Sequence, residues 1–124
     1  MWNNAILCLG SNTDCEANLR SAVGLLRAYF SSIRFSEAIY TEPIGLSDSG
    51  LFLNQVAVAG TNASLEEVRR AVKAMEKRLG RMSDSKRKGK IPIDIDLLLW
   101  NETILKPADW EKEYVQLLFR SVAD

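Results

Sequence analysis

Two amphipathic helices alternate with short apolar strands along this chain of 124 residues, and this order limits the possible folds more than any other feature. Each helix is predicted from apolar residues that recur at helical spacing and from a capping-box pair at its start. The two pairs are Thr13 with Glu16 and Ser64 with Glu67. Apolar runs rich in β-branched residues predict strands over residues 5–9, 33–40, 52–59 and 93–100. A last helix is predicted over residues 110–122, and loops over residues 41–51 and 81–92.

The resulting order, βαββαβ, is typical of a ferredoxin-like α+β sandwich with an antiparallel sheet, here followed by a C-terminal helix. No linker or repeat interrupts the pattern, so we expect a single domain over residues 1–124. Two helices would cover one face of the sheet and leave room for a site on the other. Gly10-Ser11-Asn12 lacks the glycine spacing of a phosphate-binding loop and is predicted to be a structural turn.

Composition excludes several kinds of chemistry. The chain has no histidine, which rules out histidine-based nucleophilic catalysis and histidine-ligated zinc. Its formal net charge is zero, which argues against nucleic acid or a membrane surface as a partner. Only Cys8 and Cys15 are present, and Cys8 is predicted to be a small core residue. We therefore expect a reduced, cytoplasmic protein without a signal peptide or membrane span.

Asp94 and Asp96 give the strongest chemical signal. In a strand, residues two apart point to the same side, so both carboxylates would project together with Cα atoms about 6.6 Å apart. Two like charges on one face repel each other, and a divalent cation removes that repulsion. Paired oxygen ligands of this kind can hold one or two Mg²⁺ ions that bridge phosphate oxygens. The alternative is an acidic strip that is solvated or paired with lysines.

A basic segment lies just before this pair. Its cations are Arg81, Lys86, Arg87, Lys88 and Lys90, against one acid, Asp84. Beside metal-ligating carboxylates, such cations could clamp phosphates, and polyphosphate transfer depends mostly on positioning and charge stabilisation. The alternative is a solvated surface loop or a weak nucleic-acid patch.

Phe52 and Asn54 share one face of a predicted strand. An aromatic plane beside an amide suits a flat heterocycle with a mixed hydrogen-bonding edge. Phe52 could equally be a core residue. Asn54 needs hydrogen-bond partners if it is buried in an apolar strand, so it is the stronger indicator of a binding site.

Together these residues resemble the 6-hydroxymethyl-7,8-dihydropterin pyrophosphokinase family of folate biosynthesis, as a short and divergent member. The resemblance runs from about Ala5 to Leu118. It is carried by the segments Leu9-Gly10-Ser11-Asn12, Glu16-x-Asn18-Leu19, Tyr40-Thr41-Glu42-Pro43-Ile44-Gly45, Phe52-Leu53-Asn54, Met75-Glu76, Leu79-Gly80-Arg81 and Ile93-Asp94-Ile95-Asp96-Leu97-Leu98.

The resemblance implies a monomeric enzyme that transfers the terminal diphosphate of ATP to the pterin hydroxymethyl group and releases AMP. Asp94 and Asp96 would hold two Mg²⁺ ions, and the basic segment would form a catalytic lid over ATP. The implied pterin-binding residues are Thr41, Pro43, Ile44, Gly45, Phe52, Asn54 and Tyr114, with Phe52 and Tyr114 stacking on the ring. The implied nucleotide-binding residues are Lys73, Glu76 and Leu97, and Arg81 matches a family arginine.

The chain departs from the family at several phosphate contacts. The family segment Arg-Trp-Gly-Pro-Arg is replaced by Arg87-Lys88-Gly89-Lys90-Ile91, and a family loop arginine aligns with Ser83. A Pro-His segment of the family is replaced by a shortened one, Lys106 to Trp110. We therefore expect a slow or differently organised kinase, or a relative that binds pterin or nucleotide with weakened catalysis. A third hypothesis is a protein-interaction domain, including an RNA-binding one, although no aromatic platform for RNA is apparent.

Overall fold

The computed structural model describes residues 1–42, 51–82 and 89–123. In these residues the strands are β1 (Asn3–Ser11), β2 (Ser32–Phe35), β3 (Ile39–Thr41), β4 (Phe52–Thr61), β5 (Asp94–Trp100) and β6 (Thr103–Ile104). The helices are α1 (Cys15–Tyr29), α2 (Leu65–Arg78), α3 (Pro107–Trp110) and α4 (Glu113–Val122). None of these helices has the length and apolar character needed to cross a bilayer.

The strands form one antiparallel sheet in the order β2-β4-β1-β5-β6. The short strand β3 pairs with β4 on the same side as β2 but nearer the start of β4. The central order β2-β4-β1-β5 is that of a ferredoxin-like α+β sandwich, so the predicted fold class is confirmed.

The main core lies between the sheet and the first two helices. Helix α1 buries Leu19, Ala22 and Leu26, which recur at the predicted helical spacing. Helix α2 buries Val68, Val72 and Met75 in the same way. From the sheet they meet the core-facing residues Leu7, Leu9, Ala57, Ile93, Ile95 and Leu97. Each fully buried aliphatic side chain of this kind contributes about 1.5–3 kcal/mol of hydrophobic stabilisation.

A smaller core covers part of the opposite face, where α4 packs Val115 and Leu118 against Val56 and Leu98. Leu98 lies on this side by the normal alternation of β5, and Leu99 joins it because the β1–β5 register shifts by one residue: Leu7 pairs with Leu97, and Ile6 pairs with Leu99. Such a bulge changes which side chains face each way. Leu99 therefore packs in the smaller core and not in the main core with Ile93, Ile95 and Leu97.

One of the two predicted capping boxes is present in the structure, and the other is not. In α2, Ser64 Oγ accepts the Glu67 N–H at 3.1 Å, and Glu67 Oε1 accepts the Ser64 N–H at 2.9 Å, which confirms the box. Helix α1 instead begins after Asp14, whose φ is 45° and whose side chain makes no capping hydrogen bond. The Glu16 carboxylate accepts the Tyr40 hydroxyl at 3.5 Å. The predicted Thr13 box is wrong because Asp14 separates Thr13 from the helix.

Three other predicted elements are also changed. The strand over residues 33–40 is divided into β2 and β3, since Ser36 breaks the regular ladder: its N–H donates to the Val56 carbonyl, and its hydroxyl accepts the Val56 N–H at 2.9 Å. The C-terminal helix is divided into α3 and α4 by the extended backbone of Lys112. Residues 10 and 11 belong to β1 and do not form a turn.

Candidate active site

A cavity of about 740 Å³ opens on the sheet beside α4 and continues to the side of α2. Its charged and polar lining residues are Thr41, Glu42, Asn54, Arg69, Lys73, Glu76, Arg81, Asp94, Asp96, Lys106, Asp109, Lys112 and Tyr114. Gly10, Phe52 and Leu97 also line it. One cavity thus contains the predicted metal-ligating acids, Asp94 and Asp96, and the predicted ring-binding pair, Phe52 and Asn54.

The sheet register explains how these two groups meet. Gly10 of β1 pairs with Asn54 of β4 on one side and with Asp94 of β5 on the other. Cys8 likewise stands between Val56 and Asp96. Because neighbouring strands lie about 4.8 Å apart, the backbones at Asn54 and Asp94 are about 10 Å apart. Gly10 has no side chain, so nothing projects between the amide and the carboxylate.

Asp94 and Asp96 each face a cation. Arg81 Nη1 lies 3.0 Å from Asp94 Oδ1, and Lys106 Nζ lies 2.6 Å from Asp96 Oδ1. Burial raises the pKa of the Asp96 carboxyl above its usual range, and the charge of Asp94 adds to this, while Lys106 acts in the opposite direction. The predicted alternative of an acid strip that is paired with lysine is therefore realised at one of the two carboxylates.

Glu76 and Arg81 form hydrogen bonds to the backbone at the start of β5. Glu76 Oε2 accepts the Ile95 N–H at 2.8 Å and lies 4.0 Å from Arg81 Nη1. The same Arg81 nitrogen donates to the Ile93 carbonyl at 3.0 Å. Burial raises the pKa of Glu76 above its usual value, with smaller contributions from the charges of the nearby aspartates. These contacts fix the backbone from which both aspartates project.

The side of the cavity next to β4 centres on Asn54, which is 5% exposed. Its Nδ2 donates to Thr41 Oγ1 at 2.6 Å, so Thr41 orients the amide. Phe52 is partly buried and lies two residues earlier on β4, with its ring edge near Gly10. Asn54, Thr41 and Phe52 were all predicted for pterin binding, and the fold brings them together.

Tyr114 and Cys8 line the wall beneath α4. Burial raises the pKa of the Tyr114 hydroxyl, and burial together with the nearby charges of Asp96 and Asp94 raises the pKa of the Cys8 thiol to about 12. Both groups are therefore neutral at physiological pH. Cys8 packs against the smaller core, as expected, but it also reaches the cavity.

The remaining predicted residues divide into three groups. Lys73 and Leu97 line the cavity, while Lys90 is exposed and is not among the described lining residues. The other predicted positions lie outside the described residues: Pro43, Ile44, Gly45, Lys86, Arg87 and Lys88.

Asn12 fixes the end of the basic segment against the sheet. Its Nδ2 donates to the Gly89 carbonyl at 2.8 Å, and its Oδ1 accepts the Ile91 N–H at 2.6 Å. Its own N–H donates to the Ile91 carbonyl at 3.0 Å. This role of Asn12 is not predictable from the local sequence, because its partners lie nearly eighty residues away.

Three residues that line the cavity were not predicted as site residues: Lys106, Asp109 and Lys112. They reach the cavity because the short strand β6 turns the chain back after β5, with Asn101 in the left-handed conformation at φ 55°. The Asn101-Glu102 pair between two apolar segments was the available signal for this hairpin.

The donor set fits Mg²⁺. Within the described residues no three Asp, Glu, Cys or His side chains are grouped closely enough to form a metal cage. Mg²⁺ commonly binds through one or two carboxylates, with water and substrate phosphates completing its shell. Asp94 and Asp96, on one strand face and partly solvent-accessible, match that pattern.

The fold and cavity define a ferredoxin-like α+β domain with an acidic ligand site. The chain belongs to the 7,8-dihydro-6-hydroxymethylpterin-pyrophosphokinase family, whose model matches residues 6–124. It is similar to a folate synthesis bifunctional protein of Arabidopsis thaliana, with 27% identity over 124 residues that cover 92% of this chain and 26% of the relative. It is also similar to a mitochondrial folate synthesis bifunctional protein of Pisum sativum, with 32% identity over 89% of this chain and 23% of the relative. The chain thus spans about a quarter of the length of these relatives.

Proposed function

We propose that this chain transfers the terminal diphosphate of ATP to the hydroxymethyl group of 6-hydroxymethyl-7,8-dihydropterin and releases AMP. The observation that carries the proposal is the row Asn54–Gly10–Asp94 across three adjacent strands, which joins a ring-binding amide to a carboxylate pair. Membership of the family supports the same activity. ATP is the proposed co-substrate, and residues 1–124 are proposed to act as one monomeric domain.

In this proposal the pterin edge binds Asn54, and Phe52 and Tyr114 flank the ring. Thr41 holds the Asn54 amide in the orientation that binding requires. Asp94 and Asp96 would hold two Mg²⁺ ions, which when bound neutralise the charge of the triphosphate. Lys73, Glu76 and Leu97 would line the nucleotide side of the cavity.

The reaction breaks the bond between the β-phosphorus and the oxygen that bridges it to the α-phosphorus, and forms a bond from the pterin hydroxyl oxygen to the β-phosphorus. The hydroxyl proton passes to solvent, and AMP leaves with the bridging oxygen. No histidine is available as a base. Positioning and charge stabilisation would therefore account for the rate, with Arg81 held next to Asp94.

The same proposal assigns the protein to the cytoplasm, because both cysteines are free, as expected in a reducing compartment. It includes neither nucleic acid nor a membrane as a partner.

The test is incubation with the pterin alcohol, ATP and Mg²⁺, with mass detection of the pterin diphosphate and AMP. Asp94→Asn and Asp96→Asn should each lower the rate by at least about 100-fold, since each removes a metal ligand. Glu66→Gln is the matched control, because Glu66 is an exposed carboxylate on α2 that pairs with Arg70. Wild-type rates in both aspartate variants would overturn the proposal. Pterin binding without any product would instead favour a non-catalytic binding relative.

A further inference from the structure

Lys106 reaches the acidic pair from the segment between β6 and α3. Its Nζ lies 2.6 Å from Asp96 Oδ1, a short charge-assisted contact. The backbone at this point is tied to β5, because the N–H groups of Leu105 and Lys106 donate to the Leu98 carbonyl at 2.8 and 3.4 Å. Pro107 follows directly and disfavours a helical backbone at Lys106, whose φ is −133° and ψ 82°.

The surroundings of Lys106 favour a cation at this position. Lys106 donates a hydrogen bond to the Asp96 carboxylate, and its ammonium charge balances that of a side chain that is only 26% exposed. A metal ion bound to Asp96 would lie close to this ammonium, and the two positive charges would repel each other while Lys106 stays in place.

We propose that Lys106 is a tethered counter-ion that occupies Asp96 when the pocket holds no metal and that competes with Mg²⁺ for this carboxylate. The inference rests on the proposed function, in which Asp96 is a metal ligand. Lys106 thereby sets the Mg²⁺ concentration at which the site fills. The side chain is 47% exposed, so it has room to leave Asp96 while staying on the cavity wall.

The test measures Mg²⁺ binding to the chain alone, without nucleotide, by calorimetry and by the rise in melting temperature with Mg²⁺. Lys106→Met keeps the length of the side chain and removes the charge. We expect it to bind Mg²⁺ about tenfold more tightly than the wild type, because the ion no longer displaces a hydrogen-bonded ammonium.

Lys112→Met is the matched control. Lys112 lines the same cavity but pairs with Asp109, with Nζ 2.9 Å from Oδ1. The Lys112→Met substitution removes the same charge but leaves the contact between Lys106 and Asp96 in place. Its effect on Mg²⁺ affinity should therefore be less than about threefold. Lys106→Gln, which keeps a polar end group, serves as a second variant if Lys106→Met lowers the melting temperature in the absence of metal.

The side chain itself gives a readout independent of affinity. In the wild type, the Lys106 ammonium and Cε resonances should shift as Mg²⁺ is added, and they should stay unchanged in Asp96→Asn. If Lys106→Met and Lys112→Met bind Mg²⁺ as the wild type does, the inference is wrong while the proposed metal site stands. If the wild type and Lys106→Met bind no Mg²⁺ even with a non-hydrolysable ATP analogue, the proposed function fails as well.

Discussion

Substitution of Gly10 by alanine tests the arrangement on which the proposed site depends. A Cβ atom at this position would lie 3.2 Å from Asn54 Oδ1 and 3.7 Å from Phe52 Cδ1. The first distance is a few tenths of an ångström shorter than an ordinary contact, so the Asn54 amide has to move. It is held on its other side by Thr41 Oγ1 at 2.6 Å and cannot move without weakening that hydrogen bond.

The expected cost falls on ligand binding and not on the fold. Weakening one hydrogen bond to the Asn54 amide, and displacing its oxygen from the ligand, should together cost about 1–2 kcal/mol, or about 5–30-fold in the dissociation constant of the pterin. Gly10 lies within β1, and it is not among the described glycines with positive φ, so its backbone accepts alanine. Alanine is favoured over glycine inside a strand, so the stability of the fold should not fall.

Gly24→Ala is the matched control. Gly24 lies in α1, and a Cβ there would meet no atom of the described residues within 4 Å apart from its chain neighbours and the backbone of its own helix. This substitution should raise the unfolding free energy by about 0.5–1 kcal/mol and leave pterin affinity unchanged.

The measurement is calorimetric titration of the pterin alcohol in the presence of Mg²⁺ and a non-hydrolysable ATP analogue, with thermal denaturation of each variant. The affinity for the analogue should be the same in all three proteins, because among the described residues a Cβ at Gly10 meets only Asn54 and Phe52 within 4 Å. Equal pterin affinity in Gly10→Ala and Gly24→Ala would refute the assignment of Asn54 to the pterin edge.

Three further outcomes are expected. Ser64→Ala removes the capping box of α2 and should lower the melting temperature by about 3–5 °C without changing ligand affinity, as thermal denaturation and calorimetry would show. Asn12→Ala removes two hydrogen bonds to the end of the basic segment, so the Ile91 amide should exchange its hydrogen faster, and stability should fall by about 2 kcal/mol. Burial raises the pKa of Glu76 above the unfolded value of 4.5, so its contribution to stability is complete below pH 4.5 and is lost as the pH rises through the folded pKa. Glu76→Gln should therefore flatten that part of the stability curve in denaturant titrations from about pH 4 to pH 7.

Local periodicity was sufficient to predict much of the fold. The helical spacing of Leu19, Ala22 and Leu26 predicted the buried face of α1, and the two-residue spacing of Asp94 and Asp96 predicted that both would face one cavity. These features depend on residues that are close in the chain. The capping box at Ser64 was predictable for the same reason.

Features that depend on strand pairing were not predictable in this way. The bulge that turns Leu99 toward the smaller core follows from the register between β1 and β5, which no single segment encodes. The local sequence around Gly10 predicts a turn. Its position between Asn54 and Asp94 depends on the two neighbouring strands, which are distant in the chain. Lys106 reaches Asp96 only because a two-residue strand folds the chain back.

The two cations at the acidic pair are held in different ways, and this difference gives the aspartates different roles. Arg81 is fixed by the Ile93 carbonyl as well as by Asp94, with Glu76 nearby, and it is 24% exposed. Lys106 touches one carboxylate oxygen and is 47% exposed. A cation with several fixed acceptors costs more to displace than one with a single acceptor, because each lost contact has to be replaced. Asp94 should therefore keep its Arg81 contact when a metal ion binds, and Asp96 should be the carboxylate that exchanges its partner.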